Sequence, residues 1–179
     1  MQLLGIDLKD DVIRWCADLA KRLCYEGMRF ICDNVTNTPQ DIVPDMVISL
    51  HACDVATDVV INRAIELGAP IILSTPCCHR YLNDRIKSQK LSFITKYPHL
   101  RNKICEAITD AIRALRLTKS GYNVSVLELT DPQNTPKNTL IKAILGENGS
   151  QNDAANEYDE VLGFILGEGK DSYLKEICK

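Results

Sequence analysis

No stretch of this 179-residue chain approaches the ~20 consecutive apolar residues that cross a bilayer. The opening Met1-Gln2-Leu3-Leu4-Gly5-Ile6-Asp7 lacks the basic flank and long apolar core of a secretory leader. A cytoplasmic protein without membrane contact is the expectation. Eight cysteines are present, yet no two stand at C-x-x-C spacing, which leaves a zinc ribbon little support. The chain is too long and too regular to need a disulfide frame. Cys16, Cys24 and Cys105 fall in or beside helical patterns and read as small buried hydrophobes. No internal repeat is visible.

What is present is an alternation of short apolar runs with amphipathic stretches. Strands are expected at 3–7, 28–32, 45–50, 70–75, 123–129 and 139–145, and helices at about 11–23, 56–67 and 103–118. Asp10 or Asp11 is expected to cap the first helix, Gly27 to stop it, and Pro98 to break the polar region 80–102. The connection 130–138 holds no helix, so the last two strands should pair antiparallel. Residues 1–146 are expected to form one domain, with 147–179 a linker and C-terminal helices packed on it. Alternating strands and helices imply an α/β, doubly wound and mostly parallel sheet.

Two segments carry the chemistry. Ser49-Leu50-His51-Ala52-Cys53-Asp54 and Ser74-Thr75-Pro76-Cys77-Cys78-His79 each follow an apolar run, with a helical stretch between them. Strand, crossover helix, strand puts both at the carboxyl ends of neighbouring parallel strands, the edge where open α/β sheets bind ligands. Two imidazoles and three thiols gathered there suit a thiolate nucleophile, a metal site or the lining of a dry pocket. Adjacent cysteines do not readily share one tetrahedral ion with His79, so no metal is expected. Thr57 and Asp58 are expected to serve a helix N-terminus.

Residues 80–119 hold ten basic side chains against three acidic ones, in a chain of net charge −3. This is either a solvated helical face or a landing surface for a polyanion such as RNA.

Gly5-Ile6-Asp7-Leu8-Lys9, the 49–54 segment with Ala56-Thr57-Asp58, Pro76-Cys77-Cys78-His79 and Thr135-Pro136-Lys137-Asn138 occur in that order. Together they resemble the class I S-adenosylmethionine (SAM)-dependent methyltransferase family that includes the glutathione S-transferase C-terminal-domain-containing proteins. The resemblance implies a Rossmann-like sheet whose last strand inserts antiparallel. It implies that the chain is the C-terminal portion of such an enzyme, lacking the first strand and its glycine-rich turn. SAM is then the cofactor, with weak or absent binding, and RNA the expected substrate. A protein or small molecule as substrate, or an inactive RNA-binding or interaction module, are the alternatives. Either residues 3–7 move into the vacant central position of the sheet, or a second copy fills it as a homodimer.

The same resemblance assigns roles. Asp7 would hold the ribose hydroxyls, its alternative being a helix-capping carboxylate. Asp33 and Asn34 would meet the adenine, or simply shape a loop, and Leu50 and His51 would line the cofactor site. Cys53, Cys77 and Cys78 would carry covalent chemistry, with His51 catalytic beside them and His79 and Arg80 supplying positive charge. Asp54, Pro76, His79, Arg80, Lys137 and Asn138 would contact substrate.

Overall fold

The computed structural model describes residues 1–39, 42–86, 88–129, 137–146 and 151–177. Thr135, Pro136, Lys87, Cys178 and the 147–150 part of the expected linker lie outside the described residues. The chain divides into two compact units, Met1–Ile42 and Val43–Lys179. Among the described residues, no helix is long and apolar enough to cross a membrane.

The first unit is a parallel pair, β1 (Leu3–Asp7) and β2 (Met28–Cys32), joined through helix α1 (Asp10–Arg22). Asp10 and Asp11 do not cap α1. They lie in its first turn, where carboxylates favour the helix dipole, and Lys9 is the N-cap. The helix also ends before Gly27. Cys24 turns the chain at φ 58°, donating its N–H to Lys21 O at 3.2 Å, so it is an exposed turn residue and not a core thiol. Gly27 serves another purpose: a Cβ there would lie 2.3 Å from Met1 O.

The second unit holds a four-stranded mixed sheet in the order β3-β4-β6-β5. Its strands are β3 (Met46–Leu50), β4 (Ile71–Thr75), β5 (Tyr122–Glu128) and β6 (Thr139–Leu145). β3 and β4 are parallel, and β6 inserts antiparallel between β4 and β5. Helix α2 (Val55–Glu66) crosses from β3 to β4. After β4 come α3 (Arg80–Arg85), α4 (Ser92–Thr95) and the long α5 (Pro98–Lys119), and after β6 come α6 (Gln151–Leu166) and α7 (Lys170–Ile177). Pro98 does not break a helix but opens α5 at its first turn, where the missing N–H costs nothing.

Two features depart from the expected sheet. The described strands pair as two sheets instead of one, β1 with β2 in the first unit and β3 to β6 in the second. In the second unit, α2 and α5 cover one face only. The rows Val47–Ile72–Ala143–Val124 and Ser74–Ile141 pack there with Ile61, Ala64 and Leu117. On the other face Met46, Ile48 and Leu50 remain 43%, 54% and 67% exposed. A second core lies among α3, α5, α6 and α7, built from Tyr81, Leu82, Ile112, Tyr158, Leu162, Leu166, Tyr173 and Ile177. The C-terminal helices thus belong to the core of the second unit. What the structure supports is an α/β architecture with a parallel strand pair and one small mixed sheet.

Candidate functional site

The register of β3 on β4 aligns Leu50 with Thr75, so the loops leaving these strands emerge side by side. Cys53 is three residues beyond one strand end, and Cys77 and Cys78 two and three beyond the other. Their sulfurs form a near-equilateral triangle: Cys53–Cys77 3.8 Å, Cys77–Cys78 3.7 Å and Cys78–Cys53 3.7 Å. Cys53 is exposed and the other two are half-buried, so the triangle opens to solvent and does not line a dry core. Burial, followed by the contacts to the two neighbouring thiols, pushes the Cys77 thiol up to about 12. An activated nucleophile requires the opposite shift.

Backbone strain shapes the first loop. His51 and Asp54 both adopt φ 54°, a region non-glycine residues enter only when the surroundings hold them there. His51 donates its N–H to Thr75 O at 3.3 Å, and its side chain is exposed, as is Leu50. The Thr57 hydroxyl donates to Ala52 O and closes the loop. Asp54 is a clamp: both carboxylate oxygens accept the Tyr81 N–H, at 3.1 and 2.9 Å, which ties the first loop to the start of α3. Pro76 is buried beneath the second loop.

A buried polar network lies under both loops. The Arg113 guanidinium, 1% exposed, donates to Asp58 Oδ1 and Oδ2 at 3.1 and 2.9 Å, to Asp110 Oδ1 at 3.2 Å and to Asp54 O at 2.8 Å. His79 Nε2 meets Asp110 Oδ1 at 2.9 Å, and the Tyr173 hydroxyl donates to Asp58 Oδ1 at 3.3 Å. Burial alone would lower the Arg113 pKa, but the two carboxylates outweigh it and raise it above its ordinary value. Tyr173 is raised well above its own, first by burial and then by the Asp58 charge. Asp58 stands in the first turn of α2, as expected, and also pairs with Arg113 in the interior, while His79 is turned toward Asp110 inside the fold.

Cys77, Cys78, His79 and Arg80 also line a cleft of about 250 Å³, closed by Asn83, Asn102, Glu106 and Lys137. Lys137 pairs with Glu106 across it. Asn138 accepts the Leu129 N–H at 2.7 Å through its backbone carbonyl and is not among the lining residues.

In the first unit, Asp7 and Asp33 stand at adjacent strand ends, Asp33 N–H donating to Asp7 O at 3.1 Å. Asp7 Oδ1 accepts the Lys9 N–H at 2.8 Å. Asp33 Oδ1 accepts from Asn34 N–H and from Asn37 Nδ2 at 2.6 and 2.7 Å. Asn34 Oδ1 caps the turn at Thr36, 3.0 Å away. Among the described residues, the Oδ2 atoms of Asp7 and Asp33 have no partner.

The described part of the basic segment divides between exposed side chains, Arg80, Lys90, Lys96 and Lys103, and others engaged inside the fold. Arg113 is buried, Arg101 Nε donates to Asn83 Oδ1 at 2.9 Å, and Arg85 stacks 3.7 Å over the Tyr81 ring. Arg116 bonds Asn62, and Lys119 lies 3.9 Å from Asp159. These charges hold helices together instead of presenting a continuous face.

A family model described as "Methyltransferase domain" matches residues 1–85. The match begins at β1 and runs through both cysteine loops into α3. It covers the N-terminal half of the chain, which overturns the expectation that the chain is merely the C-terminal portion of a methyltransferase. Curated proteins named "Glutathione S-transferase C-terminal domain-containing protein" are similar. The mouse protein is 28% identical over 122 residues, 54% of this chain and 19% of its own length. The human protein is 26% identical over 122 residues, with the same shares, 54% and 19%. The Xenopus laevis protein is 26% identical over 119 residues, 52% of this chain and 19% of its own. The chain thus spans 19% of the length of these relatives. Neither the family description nor the relatives' names refers to RNA, so the RNA substrate is left without support.

Proposed function

We propose that the chain carries a SAM-using methyltransferase-like domain. The observation that carries this reading is the match over residues 1–85, which spans both the acid-tipped strands and the two loops. The residues present suit the cofactor's sugar and base. Asp7 and Asp33 each keep a carboxylate oxygen without a partner among the described residues, and a carboxylate can accept two hydroxyl donors at once. SAM, when bound, supplies an electrophilic methyl group on a sulfonium. The protein's own part in the first unit is to hold the adenosine end at Asp7 and Asp33. With the fragment premise gone, the expectation of weak or absent cofactor binding loses its ground.

Calorimetric titration with SAM and with S-adenosylhomocysteine tests the reading. Saturable one-to-one binding is expected, weakened about 10–100-fold by Asp7→Asn or Asp33→Asn, as the loss of a charge-assisted hydrogen bond implies. No saturable binding by the folded protein, or equal binding by both variants, overturns it.

Self-association belongs to the same reading. Among the described residues β3 ends its sheet with an unpaired edge and an exposed apolar row, and a second copy of the chain is the proposed cover.

A further inference from the structure

We infer that Cys53, Cys77 and Cys78 form a three-thiolate site for a soft divalent ion of the zinc class, with its fourth coordination position left for an exogenous ligand. The argument is geometric and does not depend on methyl transfer. A zinc–sulfur bond of about 2.3 Å in a tetrahedron places the sulfurs about 3.8 Å apart. The three observed separations are 3.7, 3.7 and 3.8 Å. An ion bonded equally to all three would sit about 0.8 Å out of the sulfur plane, as at the base of a tetrahedron with that bond length. No rearrangement of either loop is needed.

The objection that neighbouring cysteines cannot share an ion is answered by the Cys77–Cys78 edge, which at 3.7 Å matches the other two. The objection held only if His79 had to join them. His79 is engaged with Asp110 at 2.9 Å, so the adjacent pair is completed instead by Cys53 from the other strand.

Three thiolates select soft, tetrahedral ions over magnesium or calcium, which prefer oxygen ligands. Among the described residues, no fourth His, Cys, Asp or Glu joins the three sulfurs. Three protein ligands and an open position are the pattern of a site that binds or activates something, unlike the closed four-ligand sets of structural zinc. The open position suits a water or a soft donor such as a thiol. Cys77 and Cys78 also line the cleft, so such a ligand has room beside them, with Arg80 to offset the net negative charge of a divalent ion on three thiolates. An outer shell is present too. The Asp54 clamp fixes the residue beside Cys53, and the buried Pro76 precedes the adjacent pair.

The test uses the full chain, reduced, stripped with a chelator and titrated with zinc, then with cobalt as a coloured stand-in. One ion per chain is expected. A sulfur-to-cobalt charge-transfer band with the intensity of three thiolates should fall to that of two in Cys53→Ser. Zinc affinity should drop at least about tenfold in each single serine variant, because a side chain bonded to the ion matters no less than one that only orients such a side chain. Cys24→Ser serves as the control and should bind as the parent does. A second readout needs no variant: zinc should protect Cys53, Cys77 and Cys78 from alkylation while Cys24 and Cys32 still react. Failure of the folded, reduced protein to bind one ion overturns the site, as does unchanged binding in Cys53→Ser. Equal alkylation of the three thiols with and without zinc also overturns it. Loss of SAM binding in the cofactor titration leaves this result untouched, so the two readings fail separately.

Discussion

Arg113 shows how one side chain can invert a reading of charge. It belongs to a strongly basic stretch, yet it is fully buried and its guanidinium bridges Asp58, Asp110 and the Asp54 carbonyl. Truncating one partner of a buried pair leaves the other charge uncompensated, which costs about 3–5 kcal/mol. Arg113→Ala should therefore lower stability by about that amount in urea or thermal unfolding, far more than Arg85→Ala, whose side chain caps a ring near the surface. The network also fixes an alkaline limit. Tyr173 ionises well above its ordinary 10.0 in the fold because burial and the Asp58 charge disfavour its anion. The unfolded chain therefore loses that proton first, so this contribution is whole below about pH 10 and declines as pH rises further. Melting temperatures measured from pH 8 upward should fall more steeply for the parent than for Tyr173→Phe, and equal slopes would sink the assignment. Arg113 was within reach of the sequence. It follows Cys105 and Thr109 at steps of four and precedes Leu117 by four, so it stands on the buried stripe of α5 where a lone solvated charge has no place. Asp110, three residues earlier on the same helix, was within reach as well, but Asp58 was not, because it is 55 residues away and nothing local marks it as a buried acid.

At the scale of elements, periodicity located the strands to within a residue or two, and local chemistry at helix ends was where expectation failed. Pro98 read as a breaker although proline at a first helical turn is a start signal, and the apolar positions that follow it continue unbroken into α5. The end of α1 went to Cys24 instead of Gly27 because the left-handed turn comes two residues after the helix, and a cysteine gives no warning that it will adopt φ 58°. That conformation costs a non-glycine residue about 1–2 kcal/mol per position. Cys24→Gly should consequently stabilise the first unit by about 1 kcal/mol, the remainder being lost to glycine's greater freedom when unfolded. Hydrogen-exchange protection along α1 and β2 is the direct check: protection should rise, and a fall would mean that the thiol makes a contact worth more than the strain. The thiol triangle also belongs to this scale. The two loops could be placed at neighbouring strand ends from the pattern alone, but the distance between their sulfurs depends on the Leu50–Thr75 register and on the clamp from Asp54 to Tyr81. Neither leaves a trace in spacing along the chain.

For the whole molecule, the open face of the four-stranded sheet is the feature least expected of an α/β protein, where helices normally cover both sides. Ile48 and Leu50 alternate outward from β3, and among the described residues β3 has an unpaired edge. An exposed apolar edge strand is a template for further pairing, and natural proteins cover such strands or charge them. The sequence of β3, Met46-Val47-Ile48-Ser49-Leu50, holds no charge to guard it. Self-association through this edge should therefore appear as a concentration-dependent rise in mass by sedimentation equilibrium. It should depend little on salt, because the surface is apolar and the pairing is by backbone groups. Ile48→Lys places a charge at the centre of the exposed row without touching the core on the opposite face, where Val47 and Ser49 point. This variant should remain folded by circular dichroism and sediment as a monomer across the concentration range in which the parent associates. The homodimer proposal fails if the parent stays monomeric at high concentration, or if Ile48→Lys associates as strongly as the parent does.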